Sequence, residues 1–213
     1  MVKPVLITLT SPTCSGKSHL LNYIRDEAGL ACLASTTTRP QRAGEINGKD
    51  YYFITHEESK RMEEAGEFAE LAHYGGNRYG VTKKEFHEKL STGMAFLIVQ
   101  PVGMEDYVHC ALEMGAMHVK YFVDCPEEIR IARFTERVAN DVKLASTIGS
   151  KLERVKTIDK LVNTHMTRFH TMITHESKWK DLREWDMVLD GTEHPAKNLV
   201  RIIADVNRRQ NKA

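Results

Sequence analysis

Residues 5–18 read VLITLTSPTCSGKS, and the fold turns on how that stretch is parsed. Residues 5–10 form a β-rich apolar run of the kind that lies inside a sheet. Residues 16–27 follow as a helix, with Leu20, Leu21 and Ile24 at helical spacing. A turn between a buried strand and a helix leaves the first helical N–H groups unpaired and pointing outward. With the helix dipole they make an anion site. The turn and the start of the helix hold Thr13, Cys14, Ser15, Gly16, Lys17, Ser18 and His19. Gly16 lets the backbone approach a phosphate closely, Lys17 can reach β- and γ-phosphates, and the Ser18 hydroxyl can ligate Mg²⁺. Ser11 stands where this motif usually has its first glycine, at a strain of about 1 kcal/mol if its φ is positive. Cys14 sits at a helix N-terminus, which can lower a thiol pKa. A small residue filling a turn is the simpler reading of it.

The totals narrow the function classes. The chain has 213 residues, 41% hydrophobic and 28% charged, which is ordinary for a globular protein with a sizeable core. Thirty basic residues face twenty-nine acidic ones, so bulk charge argues for neither nucleic-acid nor membrane binding, and any anion site must be local. No stretch has the apolar length of a membrane span, and the first residues are too short a run for a secretory signal. Cys14, Cys32, Cys110 and Cys125 are widely spaced without a CxxC pair, so reduced thiols in the cytoplasm are expected. Ten histidines are scattered, with no metal-binding spacing.

Outward from the opening stretch, strands and helices alternate. Strands are expected at 30–35, 51–54, 67–74, 78–81, 95–100, 118–123 and 186–189, with a GGN turn between the 67–74 and 78–81 strands. Helices are expected at 56–65, 83–91, 104–114, 127–137, 166–181 and 195–208. Residues 36–50 read as a loop, and 138–164 as polar and weakly periodic. Buried strands alternating with helices imply an α/β three-layer fold with a parallel central sheet. The hairpin-rich segment from 35 to about 90 breaks that alternation and reads as an inserted α+β lobe.

Residues 35–53, STTTRPQRAGEINGKDYYF, carry a second anion site. Arg39 and Arg42 bracket Pro40, which holds the backbone extended and presents two guanidiniums along a stiff arm. Two such forks can grip one phosphate, and Tyr51 and Tyr79 can add hydroxyls. One site for a triphosphate and one for a monophosphate suggest transfer between them.

On SGKS at 15–18, TTRPQRAGEINGKDYYF at 37–53 and EFAELAHYGGNRYG at 67–80, the chain resembles guanylate kinases, a family of nucleoside monophosphate kinases. The resemblance holds in order and spacing over about the first ninety residues and more loosely beyond. It implies a P-loop core (1–34, 93–136, 166–213), a monophosphate-binding lobe (35–92) and a mobile lid (137–165). It implies ATP as donor, Mg²⁺ as cofactor and a nucleoside monophosphate, GMP or dGMP, as acceptor, with no nucleic-acid or membrane partner. The oligomeric state, monomer or homodimer, stays open. Ser35 and Glu70 would face the base, while Arg39, Arg42, Tyr51 and Tyr79 would hold the acceptor's phosphate. Lys17 and Ser18 would hold the donor's phosphates and the metal. Arg133 and Arg137, one helical turn apart, would reach the transferring group from the lid, joined by Arg168, with Arg154 as the other candidate.

Three departures from the family pattern stand out. Ile98 and Gln100 replace aspartates, Val81 replaces a base-contacting Ser or Thr, and the lid looks about twenty residues longer than the family's usual spacing. The first two fall on base recognition and leave open a kinase for another or a modified base, as a virus might carry. A catalytically inactive binding module is a further alternative. Retention of Lys17, Ser18, Arg39, Arg42 and Arg137 speaks for catalysis.

Overall fold

Strand β1 (Val5–Thr10) is buried along its whole length, and its two-residue side-chain period builds the layers. Val5, Ile7 and Leu9 pack on one face with Leu20 and Ile24 of α1 (Lys17–Asp26) and Ile202 and Val206 of α7 (Pro195–Gln210). Leu6 points the other way, into a second core with Phe86 and Leu90 of α3 (Lys83–Leu90) and Met104, Tyr107 and Ala111 of α4 (Met104–Glu113). Each large apolar side chain so buried contributes about 1.5–3 kcal/mol.

The computed structural model describes residues 3–42, 44–74, 76–101, 103–147 and 149–212. The remaining elements are β2 (Ala31–Cys32), β3 (Ser35–Thr37), β4 (Tyr51–Phe53), α2 (His56–Glu64), β5 (Phe68–Tyr74), β6 (Asn77–Thr82), β7 (Met94–Ile98), β8 (Met117–Asp124), α5 (Glu127–Ala145), α6 (Lys151–Thr174) and β9 (Met187–Asp190). A 3₁₀ segment, Glu176–Leu182, joins α6 to β9. One sheet has the order β2-β7-β1-β8-β9, with every pairing parallel. The other has the order β4-β3-β6-β5, in which β3–β4 is parallel and the other pairings antiparallel. This is the α/β arrangement with a parallel central sheet that the alternation implies. Among the described residues no helix is long and apolar enough to cross a membrane, and the four cysteines are free. Gly75, part of the expected turn between β5 and β6, lies outside the described residues.

Several element boundaries differ from the sequence reading. The strand expected at 30–35 is two strands: β2 belongs to the large sheet and β3 to the small one. The loop expected at 36–50 therefore begins inside β3. The stretch 138–164 is helical for most of its length, since α5 runs unbroken to Ala145 and α6 begins at Lys151. The helix expected at 166–181 is the end of α6 and then the 3₁₀ segment. The two long helices meet along a narrow seam: Phe134 packs edge-on against His165 and lies 5.7 Å from Phe169, and Asp141 reaches His165 at 3.1 Å. Leu144, Leu152, Val155, Val162 and Met166 remain exposed, so apolar residues occur on both faces and the periodicity is blurred.

Helix α7 is anchored by a buried carboxylate. Asp205, 5% exposed, accepts from the Tyr121 hydroxyl at 2.9 Å, from Arg209 Nε at 2.7 Å and from Arg208. Burial alone would raise its pKa, but these donors outweigh it and hold the carboxyl below the usual aspartate range. A depressed pKa gives stability that is present above the unfolded value, about 3.9, and is lost as pH falls through the folded one. Asp205→Asn should cost about 1–3 kcal/mol at pH 7 and lessen the loss of stability below pH ~4, as urea melts at several pH values would register.

Candidate active site

The loop between β1 and α1 takes its left-handed backbone at Cys14 (φ 64°) and Gly16 (φ 93°), not at Ser11. The strain expected at Ser11 is therefore absent. Ser11 is buried, and its carbonyl accepts from Lys17 Nζ at 3.3 Å, which folds the lysine back over the loop. Ser15 is buried too, and its hydroxyl has no hydrogen-bond partner among the described residues. Ser18 and His19 are exposed on the first turn of α1. Burial pushes the Lys17 pKa down, and the Glu176 carboxylate pushes it back up. Burial also raises the Cys14 thiol, with Glu176, against the pull of Arg137 and Arg133.

Three contacts hold this loop in place. Arg133 of α5 donates to the Cys14 carbonyl at 3.2 Å and to the Gly191 carbonyl at 3.3 Å. A Cβ on Gly16 would lie 2.8 Å from the Gly191 carbonyl oxygen, and one on Gly191 would overlap the Ser15 carbonyl oxygen. Glu176, 8% exposed at the start of the 3₁₀ segment, accepts from the Thr13 N–H at 2.5 Å and the Thr13 hydroxyl at 3.1 Å. Neither Glu176 nor Gly191 carries a signal in the sequence, because both act on the loop from more than 160 residues away.

In the small sheet, register places the acceptor candidates together. Ser35 pairs with Tyr51, Thr37 with both Phe53 and Tyr79, Ala72 with Tyr79, and Glu70 with Val81. Directly paired residues share a face, so Ser35, Tyr51, Tyr79, Val81 and Glu70 all lie on one side. Gly80 is required between them, since a Cβ there would strike the Glu70 carbonyl oxygen at the β5 irregularity. Arg39 is held by Glu45 in a two-pronged pair, at 2.8 and 3.1 Å, and lies over the Tyr51 and Phe53 rings at 5.3 and 5.6 Å. The Glu45 carboxylate also accepts from the Arg42 N–H at 2.7 Å.

Glu70 is half-buried. Burial raises its pKa, and the Tyr107 hydroxyl, donating at 2.6 Å, pulls it back down. Val81, expected among the base-contacting residues, is fully buried in the second core and brings no polar atom to this face. Ile98 packs against the first core, and Gln100 is exposed just beyond β7.

Charge pairing separates the arginines. Among the described residues, Arg25, Arg39, Arg61, Arg78, Arg130, Arg183, Arg201, Arg208 and Arg209 each have a carboxylate partner. Arg42, Arg133, Arg137, Arg154 and Arg168 have no carboxylate within ion-pair distance among the described residues, and all five are candidates named from the sequence. Desolvation lowers the Arg42 pKa, and the charges of Arg39 and Arg168 lower it further, against the pull of Glu45. Arg137 exerts its field on Cys14 in the phosphate loop. Arg154 instead turns to the Gly149 carbonyl at 3.0 Å. Positive charges left without an ion-pair partner form a surface suited to a polyanion.

A family model described as guanylate kinase matches residues 3–143. A guanylate kinase of Novosphingobium aromaticivorans is 41% identical over 90 residues, which are 42% of this chain and 41% of that protein. One from Wolbachia pipientis wMel is 34% identical over 160 residues, 73% of this chain and 77% of that protein. The chain thus spans less than half the length of the first of these relatives, though more of the second. A crystal structure of guanylate kinase from Anaplasma phagocytophilum is similar at a TM-score of 0.61, covering 99% of this chain and 88% of that chain at 23% identity. That likeness bears on the fold alone.

Removing the charge at Glu176 should let Lys17 lose its proton at lower pH, because that carboxylate is what raises it. In Glu176→Gln the Lys17 ammonium should accordingly deprotonate at lower pH than in the unmodified chain, as an NMR titration of the lysine side chain from neutral to alkaline pH would register.

Proposed function

This chain belongs to the guanylate kinase family, and on that premise we propose that it transfers the γ-phosphoryl group of ATP to GMP or dGMP, giving GDP or dGDP. The observation that carries the reading is the set of arginines without carboxylate partners, drawn from the acceptor arm and from both long helices, around a phosphate loop with its lysine in place. The core, the acceptor lobe (35–92) and the lid (137–165) divide the work in this proposal.

Lys17 and the loop N–H groups bind the donor's phosphates. Arg39, Arg42, Tyr51 and Tyr79 bind the acceptor's phosphate, with Glu45 fixing the arginine arm. Ser35 and Glu70 face the base. The acceptor's phosphate oxygen is already anionic, so it attacks the γ-phosphorus in line without a general base, and the β–γ bridging oxygen leaves with its electron pair on ADP. Arg137 and Arg168 stabilise the charge that develops between the two nucleotides, and lid closure excludes water. Arg133 keeps the loop in register with β9.

Mg²⁺ fits the residues present. Ser18 offers an exposed hydroxyl at the first turn of α1, and this ion keeps several waters and takes most of its other ligands from substrate phosphates. When bound, it neutralises phosphate charge. The missing acids at Ile98 and Gln100 leave Ser18 as the protein ligand we assign. Four free thiols accord with a cytoplasmic setting.

A coupled assay with ATP and a panel of ribo- and deoxynucleoside monophosphates tests the proposal. GMP and dGMP should be the best acceptors. Lys17→Ala should lower kcat by about 10²–10³-fold, while Arg42→Ala should act chiefly on the acceptor's KM. No turnover with any acceptor would refute the kinase reading, and a clear preference for another base would refute the acceptor.

A further inference from the structure

We propose that Tyr107 is a positioning residue for base recognition, holding the Glu70 carboxylate in the orientation that accepts from the N–H edge of a guanine. The inference rests on the placement of Glu70 in the acceptor site given above. Tyr107 sits on α4, 5% exposed, with its ring nearly parallel to Phe86 (9° between planes, centroids 6.4 Å apart). That packing leaves the ring little room to swing. Its hydroxyl donates to Glu70 Oε2 at 2.6 Å. On the other side, Glu70 Oε1 lies 2.8 Å from where a Cβ on Gly103 would stand. One oxygen is thus fixed by a hydroxyl, and the other occupies space that only a glycine leaves open.

The neighbours make this clamp matter. Val81, opposite Glu70 in the β5–β6 register, is fully buried and apolar, and Gln100 is exposed. Glu70 and Ser35 are then the polar side chains left to read the base, so the aim of one carboxylate weighs heavily. A carboxylate has about four lone-pair sites, and the tyrosine takes one, leaving acceptors for the two donors of a guanine edge. The groups that act electrostatically on Glu70 are Tyr107 and Asp106, both of α4. The first favours the ionised form and the second opposes it.

The test compares the unmodified chain with Tyr107→Phe and Gly103→Ala, all three checked by thermal melting. The first variant removes one oxygen. The second pushes the carboxylate aside at a position where the backbone φ is −89°, which alanine adopts without strain. Both should raise the KM for GMP about tenfold, with kcat and the KM for ATP within about twofold. In Tyr107→Phe the carboxyl loses the bond that favours its charged form. The acid limb of kcat/KM for GMP should then move to higher pH, which a merely structural role would not produce. Unchanged KM and superimposed acid limbs, in a chain that turns over GMP, would overturn this inference alone. Should the chain bind GMP calorimetrically without transferring phosphate, the kinase reading fails, and GMP affinity in the same variants decides the role of Tyr107. If it binds no GMP at all, both are overturned.

Discussion

The phosphate loop is kept in shape by backbone pressing on backbone. Gly191, just past β9, lies so close to the Ser15 carbonyl that no side chain fits, and Gly16 meets the Gly191 carbonyl from the other side. A loop that must present N–H groups outward has few ways to satisfy its own carbonyls. Arg133 answers this by donating to the carbonyls of Cys14 and Gly191 at once. The first helix of the long pair is therefore bolted to the loop it would act upon. Glu176, directly after the second long helix, binds Thr13 on the same loop. Both roots of the α5–α6 hairpin thus converge on a few residues between β1 and α1.

Electrostatics divides the same structure into settled and unsettled parts. Surface ion pairs such as Arg61–Glu67 are worth little, and their geometry is not the point. What matters is where pairing is withheld. Arg42 is desolvated and carries the repulsion of Arg39 and Arg168 against the pull of Glu45, and Lys17 is desolvated with Glu176 to compensate. Such arrangements weaken the fold slightly, and a bound polyanion reverses their sign. Glu45 limits the cost at Arg39 by pairing with its guanidinium, which lies over the Tyr51 and Phe53 rings. The price of an anion site is thereby concentrated in a few residues instead of being spread through the sheet.

How legible this was in the sequence depended on how local each cause is. The apolar run of β1 with GKS after it, and the Arg–Pro arm of 39–42, work through neighbours in the chain, and both could be parsed from residues alone. The long helices could not. Their seam is narrow, Leu152, Val155, Val162 and Met166 face solvent, and the apolar pattern reads as noise. The capping box of Ser150 and Glu153 was the one available local sign of the α6 start. Glu176, Gly191 and Tyr107 were invisible for a different reason. Each matters through one contact with a residue far off in sequence, and nothing in composition or spacing marks such a contact. Ser11 was the opposite case: the local pattern suggested strain, yet the strained φ moved to Cys14.

The two sheets keep the proposed donor-phosphate contacts apart from the proposed base contacts. The donor loop hangs from the five-stranded parallel sheet, whose strands are locked by two cores. The acceptor face belongs to the four-stranded sheet, where Ser35, Tyr51, Tyr79, Val81 and Glu70 are aligned by register. A change from a polar residue to Val81 there deepens the second core and leaves the Arg39–Glu45 arm untouched. In the proposed site the Arg39–Glu45 arm and Glu70 are thus positioned by different neighbours of one sheet. Glu70 leans on α4 through Tyr107 and Gly103. Through α4 it touches the second core, which Val81 of the same face already joins. On the proposed reading, a substitution in that helix acts on base recognition through Glu70, without touching the nucleotide itself.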